Sequence, residues 1–173
     1  MDIFSLNSNK KRILIIGGGF GGIEIARRLD TRQFEVLLID KHNYFTFQPL
    51  LYQVATGGLE PDSVAYPLRK ILKKNKDVLF RLTEVKSIDP SSSKVMTTIG
   101  EIPYDILVIA TGAVTNFFNM VETEKNALSL KSVTDALNIR SFVLQKFEAA
   151  LLEKSKEEQK RMMNFVIVGG GPT

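Results

Sequence analysis

The chain has 173 residues, 44% of them hydrophobic and 24% charged, an ordinary make-up for a soluble globular chain with room for one domain and the beginning of another. It contains no cysteine, which removes structural disulfides, iron–sulfur clusters, thiolate zinc sites and redox-active cysteine pairs from this stretch, and no metal site is expected. The formal net charge of +4 gathers in Lys10-Lys11-Arg12 and in RKILKKNK (Arg69 to Lys76), without the aromatic interleaving or motif that would point to nucleic acid.

The leader MDIFSLNSNKK is polar, and its basic residues follow the apolar ones, so it reads as a frayed terminus rather than a secretory signal. Arg12 to Ile16 is a short, continuous β-branched run ending at glycine, the pattern of a strand buried on both faces. Gly22 to Asp30 predicts a helix, with Ile23, Ala26 and Leu29 at helical spacing. Phe34 to Ile39 is a second buried strand closed by Asp40, and the three elements make a right-handed βαβ unit. The stretch HNYFTFQPLLYQVATGGLEP is aromatic and apolar but broken by Pro49, Gly57 and Gly58, so it is no simple helix.

Ser63 to Lys74 predicts a helix that Pro67 either kinks or begins, with Leu68, Ile71 and Leu72 turned inward and the basic residues on its wet face. A surface leaning toward anionic lipid or nucleic acid is the sharper alternative for those charges, with no motif in favour of the latter. Val78 to Leu82 is a third strand, and Val85 to Ile99 a small antiparallel excursion turning at DPSSS (Asp89 to Ser93). Tyr104 to Ala110 (YDILVIA) is a further buried strand stopped by Thr111-Gly112, and Thr115 to Ser129 reads as a linker. Ser132, with Asp135 three residues on, opens a long helix lined by Val133, Leu137, Leu144, Phe147 and Leu151, and KSKEEQKR (Lys154 to Arg161) ends it as a solvated charge run. Phe165 to Val168 is a last strand, running into Gly169-Gly170-Gly171.

That ending repeats the beginning. Ile13-Leu14-Ile15-Ile16-Gly17-Gly18-Gly19 lies over Phe165-Val166-Ile167-Val168-Gly169-Gly170-Gly171 without a gap. In the first copy Gly17-x-Gly19-x-x-Gly22 stands between a predicted strand and a predicted helix, the context in which such glycines form a dinucleotide fingerprint. Gly17 permits the tight turn, Gly19 lets a pyrophosphate approach the backbone, and Gly22 brings helix and strand together. Asp40, eighteen residues beyond Gly22, ends the second strand, where a carboxylate can accept hydrogen bonds from a ribose and repel a 2′-phosphate. The fingerprint alone does not separate FAD from NAD.

GGGFGG, FQPLLYQVATGGLEP, YDILVIATGA and FVIVGGGPT together resemble successive marks of the type II NADH dehydrogenases, from Lys11 to Thr173. These are flavoenzymes of the two-dinucleotide-binding-domain superfamily. The resemblance implies an α/β Rossmann-like FAD domain, a parallel sheet with helices and a small antiparallel meander, in residues 1–114. The beginning of an inserted NADH domain, cut short, would occupy 115–173. It implies that Gly17, Gly19, Phe20, Gly21, Gly22, Asp40 and Lys41 face the ADP half of FAD, and that the backbone near Val85 approaches the adenine. Ala110-Thr111-Gly112 would lie by the flavin half, Gln48-Pro49 would help wall the isoalloxazine ring, and Gly169 and Gly171 would hold NADH.

Hydride would pass from NADH to the flavin and electrons on to a membrane quinone. The enzyme would sit on the cytoplasmic face of the cell membrane, with a homodimer as an open possibility. The chain alone, as a truncated piece, is expected to hold FAD weakly and turn over no NADH. No general acid or base is nominated, because the chemistry belongs to the cofactor. His42 reads either as a contact to the ribose or as an exposed loop residue, and Tyr44, Phe45, Phe47 and Tyr52 either as ligand-stacking or as core. The alternatives are a ferredoxin-, rubredoxin- or sulfide:quinone-type reductase and, from another class, a non-catalytic dinucleotide-binding module. The missing cysteines count against disulfide and sulfide chemistry.

Overall fold

The computed structural model describes residues 9–74 and 77–169. The chain divides into two compact units, one formed by the residues up to Phe45 with Tyr66–Ala113, the other by Thr46–Ala65 and the residues from Val114 on.

The first unit is built on a parallel sheet. β1 (Lys11–Ile16) lies between β2 (Phe34–Asp40) and β9 (Ile106–Ile109), and β5 (Val78–Leu82) pairs with the far side of β2. Alternation along the strands sends Ile13, Ile15, Val36, Leu38, Val78 and Phe80 to one face, where α1 (Phe20–Arg28) and α3 (Leu68–Leu72) cover them with Ile23, Ala26, Leu68 and Leu72. Leu14, Ile16, Leu37 and Ile39 point the other way and pack on Val95 and Ile102. Those two come from an antiparallel meander of β6 (Val85–Asp89), β7 (Lys94–Thr97) and β8 (Gly100–Pro103). The fold class is therefore the expected one. The third meander strand, which the turn at Asp89–Ser93 did not announce, follows from a tight return at Ile99-Gly100, with Gly100 at φ +122°.

Read in chain order, the parallel strands stand third, second, first, fourth across the sheet. The order reverses between β1 and β9, the place where open α/β sheets leave a crevice at their carboxyl ends. At the opposite end Arg12 is buried, 1% exposed, and its guanidinium pairs with Glu35 at 2.8 Å. The Arg12 N–H donates to Asp105 Oδ2 at 2.6 Å, and Asp105 returns its own N–H to the Arg12 carbonyl at 3.0 Å. Arg12 thus belongs to the interior, as the buried strand expected from Arg12 to Ile16 implies, although its charge counts with those of Lys10 and Lys11.

Pro67 begins a helix, the second of the two outcomes expected for it. Ala65–Pro67 is extended (β4), pairing with β3 (Tyr44–Thr46), and α3 starts at Leu68 with Pro67 as its N-cap. Residues 64–67 are thus not helical as expected, and a single tight turn, Pro61–Ser63, precedes them.

In the second unit α2 (Leu51–Ala55) packs on α5 (Val133–Leu152) through Leu51, Val54, Ala55 and Ala136, with Val133 and Ile139 alongside. The capping box forms: Asp135 N–H donates to Ser132 Oγ at 3.1 Å and Ser132 N–H to Asp135 Oδ2 at 2.9 Å. The expected apolar face is only partly right. Val133 is packed, but Leu144 and Leu151 are 53% and 77% exposed, because the small Ala136 is what allows α2 to approach. The linker holds a short helix, α4 (Val121–Asn126), preceded by Phe118 and Asn119 at φ 52° and 63°. The charge run does not simply end α5. It forms its own helix, α6 (Lys156–Met162), capped by Ser155.

Phe165–Val168 is not a strand. Val166, Ile167 and Val168 are 82%, 89% and 93% exposed, since a parallel strand is held by a neighbour and none is offered among the described residues. Phe165 instead meets Phe147 edge-on at 5.8 Å.

Candidate functional site

The carboxyl ends of β1, β2 and β9 bring a glycine turn, a carboxylate and a second small-residue stop together. Gly17 leaves β1 at φ +108°, and a Cβ there would stand 2.3 Å from the Ala110 carbonyl oxygen. Only glycine fits, on both counts. Its N–H donates to the Ile39 carbonyl at 2.8 Å, and the Ala110 N–H to that of Ile16, also at 2.8 Å. Gly22 lies on the other side of the turn, where a Cβ would overlap the Gly17 carbonyl oxygen. These contacts draw the start of α1 onto β1.

Gly19 differs from both. A Cβ there, or at Gly21, meets nothing within 4 Å. Gly19 is the N-cap of α1, and among the described residues no side chain caps that helix and its first turn carries no acid. The positive end of the helix dipole therefore meets open space beside Gly19 and Gly21, a setting suited to an anion. Phe20, the first residue of α1, is half-exposed and rests edge-on against Phe45 at 4.9 Å.

Asp40 ends β2 beside this turn. Its Oδ2 accepts the Gly18 N–H at 2.5 Å, its Oδ1 the His42 N–H at 2.7 Å, and its carbonyl the Thr83 N–H at 2.9 Å. Lys41 and His42 are exposed, and the His42 ring lies 5.3 Å from that of Tyr44. Phe45 is packed against the core under α1, which settles one of the open aromatic readings in favour of core. Phe47 and Tyr52 are exposed, and Gln53 donates to the Tyr52 hydroxyl at 2.9 Å.

Val85 opens β6 just beyond Thr83 and Glu84. The buried Thr83 hydroxyl pairs with that of Thr98 at 2.9 Å. Glu84 is held below the usual carboxylate range by its hydrogen bond to Lys86, with the charges of Lys86 and Lys41 adding to it. On the other flank Ala110 is half-buried, Thr111 and Gly112 are exposed, and Gly112 takes φ +72° with open space beside it.

The first unit thus brings together Gly17, Gly19, Phe20, Gly21, Gly22, Asp40, Lys41, Val85, Ala110, Thr111 and Gly112. Gln48 and Pro49 belong to the second unit, half-buried in a tight turn, Gln48–Leu50. Gly169, also in the second unit, takes φ +105°, close to the φ of Gly17, while Gly171 lies outside the described residues. Sequence reasoning missed Gly18 and Thr83. The unbroken run of three glycines was a signal for the first; nothing marked the second.

The family model for pyridine nucleotide-disulphide oxidoreductases matches residues 11–173. The external alternative NAD(P)H-ubiquinone oxidoreductase B2 of Arabidopsis thaliana mitochondria is 42% identical over 183 residues, covering 99% of this chain and 31% of the relative. Type II NADH:quinone oxidoreductase NdhA of Mycobacterium tuberculosis is 40% identical over 168 residues, covering 95% of this chain and 36% of the relative. Among solved structures, NDH2 from Plasmodium falciparum in complex with NADH superposes with a TM-score of 0.77 at 31% identity, over 88% of this chain and 32% of that one. The chain spans about a third of the length of these curated relatives. With both glycine motifs inside the matched stretch, the chain belongs to the pyridine nucleotide-disulphide oxidoreductase family, and its similarity within that family runs to the type II NADH:quinone oxidoreductases.

Proposed function

We propose that this chain supplies the FAD-binding core, and the start of the NADH-binding part, of an NADH:quinone oxidoreductase. The observation that carries the reading is the cradle at the switch in strand order. Gly17 and Gly22 are sterically obligatory there, Gly19 opens onto space, and a carboxylate stands at the end of the adjacent strand. The residues present fit a dinucleotide. N–H groups at the start of α1 receive the pyrophosphate, and each Asp40 oxygen, already holding one backbone N–H, keeps lone-pair capacity for a ribose hydroxyl. The same carboxylate repels a 2′-phosphate.

On this reading Gly17, Gly19, Phe20, Gly21, Gly22, Asp40 and Lys41 face the ADP half, and the Val85 backbone approaches the adenine. Ala110, Thr111 and Gly112 line the flavin half, Gln48 and Pro49 flank the isoalloxazine ring, and Gly169 with Gly171 receives NADH. FAD, when bound, supplies the two-electron chemistry between reduced nicotinamide and a quinone. The protein groups position it and exclude water.

The similarity to quinone oxidoreductases supports a quinone acceptor, and the proposal places the enzyme on the cytoplasmic face of the membrane that carries that quinone. Among the described residues no helix is long and apolar enough to cross a membrane. The 173-residue chain turns over no NADH on this reading, because the run before Gly169 lies outside any sheet.

The test is the visible spectrum of the intact polypeptide. Oxidised-flavin absorption that bleaches with NADH and returns with a quinone analogue supports the proposal. A colourless protein that refuses added FAD overturns it.

A further inference from the structure

We infer that Asp40 is a positioning residue as well as a sugar-binding one: its carboxylate latches the glycine loop to the end of β2 and sets the phosphate cradle before any ligand arrives. The inference rests on the dinucleotide reading above and adds a second task to the same side chain.

Two consecutive N–H groups of the loop are tied to β2. Gly17 donates to the Ile39 carbonyl at 2.8 Å and Gly18 to Asp40 Oδ2 at 2.5 Å. The first bond is backbone to backbone and indifferent to side chains. The second requires an acceptor oxygen on a side chain of this length at residue 40. The carboxylate is itself held, with Oδ1 taking the His42 N–H at 2.7 Å, so its plane is fixed from both sides. Bonds to an ionised acceptor are stronger than neutral ones, and a group oriented in advance spends less entropy on binding.

Gly18 occupies a position the fingerprint leaves open to any residue, yet it is not open here. A Cβ on Gly18 would stand 2.7 Å from Leu68 Cδ1 and 3.3 Å from Asp40 Oδ2. Leu68 is fully buried, and its N–H is anchored on the Asn43 carbonyl at 2.9 Å. The loop after β1, the loop after β2 and the start of α3 therefore converge on one N–H···carboxylate bond. A ribose that meets Asp40 meets a group whose orientation also governs where the pyrophosphate lies.

A chemical double-mutant cycle on the intact protein separates the two tasks, using FAD and its 2′,3′-dideoxyadenosine analogue as probes. If the latch operates, Asp40→Ala weakens binding of the analogue by about tenfold or more although no sugar hydroxyl is left to lose. If Asp40→Ala binds the analogue as the parent does, to within about twofold, Asp40 acts through the sugar alone and the inference is overturned. General damage is separated by the flavin-free protein labelled with 15N-glycine. Asp40→Asn shifts the Gly18 amide resonance while Gly57, Gly58 and Gly100 stay in place. An unmoved Gly18 resonance, or disturbance spread over all four glycines, refutes the latch. Should the parent protein take no FAD, the dinucleotide reading fails, while the Gly18 resonance still decides the latch.

Discussion

Alanine at Gly17 and alanine at Gly19 are the same chemical change two residues apart, and the structure expects opposite consequences. At Gly17 the backbone sits at φ +108°, and the new Cβ would lie 2.3 Å from the Ala110 oxygen and 2.7 Å from its carbonyl carbon. Forcing a non-glycine residue into that region costs about 1–3 kcal/mol. Relieving an overlap with main chain, which has no rotamer to escape into, costs about another 1–3 kcal/mol. Gly17→Ala should therefore lose about 2–6 kcal/mol of stability. Gly19 sits at φ −81°, and its Cβ would meet nothing within 4 Å. Gly19→Ala should stay within about 1 kcal/mol of the parent, since a compatible Gly-to-Ala change even gains a little by stiffening the unfolded chain. It should nonetheless weaken FAD by about tenfold or more, because the methyl occupies the approach to the helix N-terminus. Urea denaturation followed by circular dichroism reads the first quantity and flavin titration the second. A Gly17→Ala protein as stable as the parent, or a Gly19→Ala protein that binds FAD undiminished, would refute the steric argument for the cradle.

Arg12→Ala should cost about 2–4 kcal/mol in urea denaturation, somewhat less than a fully buried pair because the Glu35 side chain keeps 19% exposure. An unchanged midpoint would show that the guanidinium is not structural. Ser132→Ala removes half of the capping box of α5 and should cost about 1 kcal/mol, while Ser132→Asp should recover most of it. Asp30, whose carboxylate accepts hydrogen bonds from the Arg32 guanidinium and the Arg32 backbone N–H, titrates at about 2 rather than 3.8. Its folded pKa is depressed, so the favourable contribution is present above the ordinary carboxylate range and is lost as pH falls toward 2. Carbon-detected NMR of the Asp30 carboxyl should show that midpoint, and Arg32→Ala should return it toward 3.8.

The parts of the fold that were legible in the sequence are those where local pattern and tertiary demand coincide. Val78–Leu82 occupies the predicted residues, because a run buried at Val78 and Phe80 is the same whether read as pattern or as packing. Asp40 was singled out from its place at the strand end, but its bond to Gly18 was not, since no spacing rule says where a side chain turns once the strand stops. Arg12 was expected at the start of a buried strand and is buried there, but its partner was not foreseen: Glu35 stands opposite Arg12 across the β1–β2 pairing, and no local pattern matches residues on different strands. On α5 the large apolar residues made the stripe through Leu144 and Leu151 look like the core face, whereas contact was decided by the small Ala136.

The two glycine motifs show most plainly what a local sequence can specify. Gly17 and Gly169 turn with nearly the same φ, +108° and +105°, so the bend is written into the residues themselves. The runs before them are equally apolar, yet Ile13–Ile16 is buried between β2 and β9 while Val166–Val168 stands almost wholly exposed. Side chains of this kind do not make a strand; parallel neighbours do, through hydrogen bonds the run cannot supply for itself. A phosphate cradle needs the bend and also a strand that holds it against the next helix, as the Gly22 contact with the Gly17 carbonyl does in the first copy. The second motif has the bend alone, so any NADH affinity there should appear only when additional strands enclose Val166–Val168, and should be absent from the 173-residue chain however well that chain binds flavin.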